Sequence, residues 1–443
     1  MSDLTTNNIL CISYLMVWIL TFILYHFKRM TSDAGTVIIG MYVVYAVFSI
    51  MSINDQFFSE AYIPLKVFPY IYLYVMMMIA LMPIIQYHNH PANEIEDPNT
   101  RVPFMIACII ILSAIAMIPG IISQANNGIM NLFVDETAGK EAYMDQVDEV
   151  GDSGRAIRNL PAVIYNSLSD INVFLLFYFL SLKENKKKWI ICGLSFTTLL
   201  NIIIPITHGQ RGGVVIGCLT VITGYFLFKP FLSSELNKRM RRIGIIAICI
   251  ISLPIIAITM SRFGNENAGV GGFINWYVGQ GSLYFNNYGL DAGGYRYGDR
   301  TINLFKRIIY PDTPKNFVER RDKYHNLDLD DNYFSTFVGD FTIDFGPILA
   351  FVIFVVVFYI LYKKTRFEGT SIKLYQLLLL YFTACISIQG GMTLFSYSDT
   401  GNLRIITLLG LYAYLRYHEK LLTKYPKEDE QDKDNTRLHR ANP

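Results

Sequence analysis

The chain has 443 residues, of which 52% are hydrophobic and 17% charged, and a formal net charge of +2. A water-soluble domain carries about 25% charged residues, so an ordinary soluble globule is excluded. A charge so near balance gives no reason to expect a nucleic-acid partner, and none is expected.

The apolar residues come in blocks. A helix needs about 20 apolar residues to cross ~30 Å of hydrocarbon, and a segment in lipid must be helical because only a helix satisfies its own backbone there. Such blocks fall at 8–27, 36–53, 65–87, 102–123, 160–182, 189–207, 213–229, 243–260, 345–362, 374–391 and 403–418. They predict an all-α polytopic transmembrane helix bundle of about eleven helices, with two large outside loops near 125–159 and 261–344. The membrane domain covers 1–424, and a polar tail covers 425–443.

At the start of the chain, Met1 to Asn8 include Asp3 but no Lys or Arg, and the first basic pair, Lys28-Arg29, follows the apolar run. A cleavable signal peptide has the reverse order, so the first segment is expected to be a retained helix with its N-terminus outside. The loop 125–159 is acidic (Asp135, Glu136, Glu141, Asp145, Asp148, Glu149) and reads as a solvated face or a lid.

Asp170 lies near the middle of the fifth block, among Asn166, Ser167, Ser169 and Asn172. A carboxylate at that depth is costly and marks a functional site by default. It is expected to face the bundle interior. There it either pairs with an arginine such as Arg211 or hydrogen-bonds helices together.

Lys and Arg concentrate on the cytoplasmic side of short loops. Lys183 with Lys186, Lys187 and Lys188, the run 229–242, the run 363–373 and the tail from Arg416 are all basic. They alternate with eleven spans so that the N-terminus is outside and the C-terminus inside. The short outside loops hold one cation each: Lys66, Arg211 and Arg404. No cytoplasmic loop has room for a nucleotide-binding domain, and no P-loop or Gly-x-Gly-x-x-Gly run follows a strand pattern. No internal repeat is evident. The six cysteines all fall inside the blocks, a spacing that suits neither a metal site nor a disulfide framework.

His208-Gly209-Gln210-Arg211-Gly212-Gly213 joins two blocks through a few residues, which puts Arg211 at the outer rim of the bilayer. Flanking glycines let a backbone approach a ligand closely, and Arg grips phosphate oxygens bidentately. The plainer reading is an arginine that snorkels to lipid headgroups.

The segment 261–344 mixes aromatics, including Phe273, Trp276, Tyr277, Tyr284, Phe285, Tyr288, Tyr295 and Tyr297, with Arg262, Arg296, Arg300, Lys306, Arg307, Arg320, Arg321 and His325. Flat rings pack on the C–H faces of sugars and arginines hold phosphates, so the mixture suits a lipid-linked saccharide. The aromatics also fit an interfacial belt, with 271–290 lying flat as an interfacial helix. Asp340 and Asp344, four apart, share a face if helical. Acidic residues are also favourable before a helix on dipole grounds alone. Gly339 beside Asp340 leaves room there for a ligand.

The "HGQRGG" hairpin, the large outside loop two spans later and the closing "DNYFSTFVGDFTIDFGPILAFVIF" (Asp331 to Phe354) resemble the Wzy-type O-antigen polymerases, also called oligosaccharide repeat unit polymerases. The resemblance covers the layout of most of the chain. It implies a multi-helix membrane glycosyltransferase at the outer face of the bacterial inner membrane, acting in O-antigen (lipopolysaccharide) or capsule-type polysaccharide biosynthesis. Donor and acceptor would be oligosaccharides on undecaprenyl pyrophosphate, with membrane lipid and a chain-length regulator protein as partners. No metal, nucleotide sugar or other cofactor is implied.

Under that resemblance Arg211 would hold the donor pyrophosphate. Arg262, Arg296 and Arg300 would share the developing charge. Asp170, Asp344, Trp276 and Tyr284 would line the substrate. His208, His325 and Asp340 are the candidates for a base, and no motif decides among them. The family's usual pair of arginine-rich outside loops is matched only in part, since the first is here a short hairpin. Two other readings share this layout: an O-antigen ligase, which differs in its acceptor, and a non-enzymatic flippase or transporter of the lipid-linked unit.

Overall fold

Apolar blocks that must satisfy their own backbone become helices, and helices are nearly all that forms. A computed structural model describes residues 3–59, 62, 64–96, 101–134, 160–183, 187–207, 210–263, 269–315, 317–330, 333–393 and 399–424. In chain order the first helices are α1 (Asp3–Phe27), α2 (Ala34–Ile53), α3 (Val67–Asn89) and α4 (Arg101–Val134). Then come α5 (Leu160–Ser167), α6 (Ser169–Ser181), α7 (Lys188–Thr207), α8 (Arg211–Phe228) and α9 (Ser234–Phe263). Helix α10 (Gly269–Tyr284) runs into a π-helical turn, Phe285–Gly289. Short helices α11 (Asn303–Ile309) and α12 (Phe317–Lys323) precede α13 (Thr336–Thr365), α14 (Leu374–Gln389) and α15 (Asp399–Lys424). Strands β1 (Glu94–Glu96) and β2 (Ser371–Lys373) pair in parallel, Ile95 opposite Ile372.

Among the described residues, eight helices are long and apolar enough to cross a membrane. A ninth crossing comes from α5 and α6, bent by 57° at their break. α14 is apolar but has 16 residues, and α15 has 26 but is more polar. The chain is a multi-pass, all-α membrane protein.

The helix ends sort into two groups. At one end Arg29 donates to His88 O, Lys229 to Ser32 O and Lys183 to Glu94, and 94–96 pairs with 371–373. All the basic short loops meet there, and we call it the basic end. At the other end Asn7 accepts from Leu65 N, Lys66 N donates to Asn286, Phe58 stacks on Trp276 and Arg404 donates to Asn166 O. We call this the aromatic end. Each of the eleven predicted blocks has a helix, or the bent pair, running between the two groups. α14 and α15 do so as well: Lys373 meets Glu419 at the basic end, while Thr336 N donates to Met392 O at the aromatic end.

Two expectations change. Helix α4 continues through Val134, so the predicted 125–159 loop begins as helix; residues 135–159 lie outside the described ones, as does the tail 425–443. The segment 261–344 is not an open loop, since helices occupy most of it. Helix α10 packs along α2 and buries its second half. Ser49 Oγ donates to Gly279 O at 2.7 Å, and a Cβ on Gly279 would sit 2.3 Å from the backbone of Phe48, so this close seam requires glycine.

Helix α13 is two helices. Gly346 has φ 77° and ψ 161°, a conformation open to glycine, and Pro347 follows with no N–H to leave unsatisfied. The apolar run predicted from 345 is the second half. The first half, 336–345, is a buried half-helix carrying Asp340 and Asp344.

Candidate functional site

The half-helix 336–345 sits against the loop 296–301. Arg296 N donates to Ile343 O at 3.1 Å and Tyr297 N to Asp344 O at 2.8 Å. Both carboxylates turn to this loop, as their spacing of four predicts. Asp340 is fully buried and forms an ion pair with Arg300 Nε at 2.7 Å. It also accepts from Ser335 Oγ at 3.1 Å and Thr393 Oγ1 at 3.3 Å. Asp344, equally buried, accepts at Oδ2 from Thr301 N and Thr301 Oγ1, each at 2.7 Å, and from Arg300 N at 3.2 Å. Both carboxylates are thus held by specific donors, Asp340 within the first half-helix and Asp344 at its end, just before the break at Gly346. Thr336, at the start of this helix, has φ 65°. That is costly for a β-branched residue and persists only where the surroundings impose it.

A third buried carboxylate, Asp299, organises the rest of the loop. Asp299 pairs with Lys306 and with Lys323 Nζ at 2.6 Å, and accepts from Tyr324 OH at 2.6 Å. Burial alone raises its proton affinity, but the bonds from Lys306, Lys323 and Tyr324 outweigh it and hold the carboxyl below its ordinary value. Tyr324 is shifted the other way, by burial first and then by donating to Asp299. Arg320 Nη1 donates to Asp299 O at 3.2 Å, and the guanidinium of Arg296, 2% exposed, lies 5.7 Å from the Tyr324 ring centroid. So Lys306 of α11 and Arg320 and Lys323 of α12 join the loop's own Arg296 and Arg300, five cations in all.

Arg211 is the first residue of α8 and is 5% exposed. Its Nη1 donates to Thr259 Oγ1 at 3.4 Å, and its guanidinium lies 4.2 Å from the Tyr277 ring centroid. It does not snorkel. Tyr277 packs edge-on against Phe334, which is next to Ser335. Direct contacts thus run from Arg211 through Tyr277 and Phe334 to Asp340 and Arg300.

Beside Arg211 the bundle is hollow. A cavity of about 560 Å³ opens at the aromatic end, lined by Asn166, Asp170, Asn201, Gln210, Thr220 and Arg404, among others. Asp170 follows the α5–α6 break, as expected of polar groups at interrupted membrane helices. It faces this cavity and not Arg211. Among the described residues nothing donates to its carboxylate, and its backbone O accepts from Tyr381 OH at 3.0 Å. Arg404 Nε donates to Asn166 O at 2.8 Å, which fixes a cation on the cavity wall. Asn402, two residues earlier, accepts from Leu304 N and donates to Thr301 O, so the cavity and the cationic loop share α15.

Of the other expected residues, Trp276 stacks on Phe58 at 5.4 Å and meets Tyr333 edge-on. Tyr284 stacks on Tyr333 at 5.0 Å and its OH accepts from Asp330 N. These rings pack mainly on one another. His325 is exposed, with Nδ1 2.8 Å from Asp322 O, and touches neither Arg211 nor Asp340. Arg262 lies in the last turn of α9. His208 lies outside the described residues.

Arg404 and Asp299 are the main additions. Arg404, like Arg211, is a lone cation between two apolar blocks. Asp299 gave no such signal.

Compared with protein-family models, with curated proteins and with solved structures, the chain matches none.

Proposed function

We propose that the protein is a glycosyltransferase of the bacterial inner membrane that joins lipid-linked oligosaccharide repeat units into a polysaccharide. The units are carried on undecaprenyl pyrophosphate at the outer face, and the chain runs from a periplasmic N-terminus to a cytoplasmic C-terminus. The observation that carries this reading is the polar 560 Å³ cavity at the same end as the aromatic, arginine-rich segment and Arg211. Such a cavity between helices has polar walls suited to a saccharide.

In this reaction an acceptor hydroxyl forms a bond to the anomeric carbon while the bond from that carbon to the pyrophosphate oxygen breaks. The hydroxyl proton passes to a base and the leaving group gains negative charge. Arg404 and Arg211 are the cations at the cavity and beside it, suited to stabilise that charge. Asp340 is consumed by Arg300, Ser335 and Thr393, whereas the Asp170 carboxylate faces the cavity, which favours Asp170 as the base. The test is Arg211→Ala in cells that make the polysaccharide. Chains are expected to collapse to single repeat units with the protein still present in the membrane. Normal chain length would overturn the reading.

The same cavity favours a second reading, a carrier of the lipid-linked unit, because polar groups lie within the spans. Reconstituted vesicles separate the two: an enzyme yields a ladder of products from units supplied on one face, while a carrier yields units on the far face and no ladder.

A further inference from the structure

The basic end holds a separate cavity of about 330 Å³. Its mouth carries two positioned cations. Arg29 Nη1 donates to His88 O at 2.7 Å, and Lys229 Nζ donates to Ser32 O at 3.0 Å. These backbone anchors hold both side chains at the rim and, among the described residues, use one donor of each, where a guanidinium offers five and an ammonium three. Asp33 on the same wall is already engaged. It lies 2.7 Å from His88 Nδ1, accepts from Tyr25 OH at 3.1 Å and accepts from Thr36 N at 2.9 Å as the cap of α2. Further along the helices the wall turns apolar, with Ile84 of α3 and Leu380 and Ala384 of α14.

Fixed cations at a helix-end mouth and an apolar interior between helices form a two-part site. A soluble anion would leave the apolar part unfilled, and an uncharged lipid would leave the two cations unanswered. Basic pockets between membrane helices suit acidic headgroups. We propose that this cavity binds an anionic phospholipid from the leaflet at the basic end, with its phosphate oxygens accepting from Arg29 and Lys229 and the start of a chain against Leu380 and Ala384. The proposal does not rest on the glycosyltransferase reading.

The test offers purified protein equal amounts of phosphatidylglycerol and phosphatidylcholine in mild detergent and weighs the complexes by native mass spectrometry. Phosphatidylglycerol is expected to be retained with about tenfold preference. Arg29→Ala with Lys229→Ala should abolish that preference, while Lys363→Ala with Lys364→Ala, at the same end but off the cavity wall, should keep it. Because the first pair also anchors backbone, Ala384→Leu is the second probe: it narrows the interior with both cations in place and should lower retention. Equal retention of the two lipids, preference surviving the Arg29/Lys229 pair of substitutions, or displacement of the lipid by millimolar glycerol phosphate would each overturn the proposal. The last outcome would mark a site for soluble phosphate instead.

Discussion

The guanidinium of Arg211 lies 4.2 Å from the centre of the Tyr277 ring, which joins the start of α8 to the middle of α10. A cation at a helix N-terminus meets the positive end of the dipole, and here it is also withdrawn from water. The electron-rich ring face and the Thr259 hydroxyl answer both costs. Tyr277 also faces Phe334, so the pair ties the cavity side of the bundle to the half-helix that carries Asp340.

This pairing predicts a graded response at Tyr277. Tyr277→Phe keeps the ring face and should leave stability and product length near wild type. Tyr277→Leu removes the ring and should lower stability by about 1–2 kcal/mol, with product length shortened as for Arg211→Ala. Thermal unfolding in detergent together with product sizing reads both. Equal behaviour of the two variants would show that the stacking is incidental.

Arg300 and Asp340 predict a different pattern, because breaking a buried pair strands a charge. Arg300→Ala leaves Asp340 fully buried with only two hydroxyl donors and should cost about 3–5 kcal/mol. Adding Asp340→Asn removes the stranded charge and should recover part of that loss. A double-mutant cycle on unfolding midpoints measures the coupling. Strict additivity would mean that the ion pair contributes nothing beyond its separate side chains.

Much of this architecture was legible because the bilayer restricts what an apolar block can do. The eleven blocks became helices, the Lys/Arg-rich loops converged at one end, and the spacing of Asp340 and Asp344 placed both toward one loop. What escaped the sequence was long-range pairing. Arg404 bonds to Asn166 across 238 positions, and the α2–α10 seam depends on Ser49 and Gly279 meeting. The segment 261–344 read as a loop because its helices are short or glycine-rich and carry no apolar block. They are held by packing and by Asp299, whose partners Lys306, Lys323 and Tyr324 come from two elements that no periodicity announced.

Asp299 makes stability depend on acid. Its folded-state value is depressed, so its contribution is fully present above the unfolded value near 3.9 and is lost as pH falls through the lower folded value. The difference in melting temperature between wild type and Asp299→Asn should therefore be level from about pH 5 to 7 and shrink below about pH 4. Scanning calorimetry across that window reads it. A difference that grew on acidification would contradict the depressed value.

Asp170 separates stability from function most cleanly. Its carboxylate faces the cavity without a donor among the described residues, so no native bond to it breaks when the charge is removed. Asp170→Asn keeps the shape and should leave the unfolding midpoint within roughly the 0.5 kcal/mol of a neutral substitution. Product formation by the same preparation should fall by about 10²–10⁴-fold, the range for loss of a general base. Asp170→Glu retains the acid one methylene further out and should restore a measurable fraction. If the carboxylate instead served only to hold α6 against its neighbours, Asp170→Asn would keep its hydrogen-bonding capacity and the activity would survive. Loss of stability together with activity would move Asp170 from the chemistry to the packing of the bent α5–α6 pair, and the base would have to be sought elsewhere on the cavity wall.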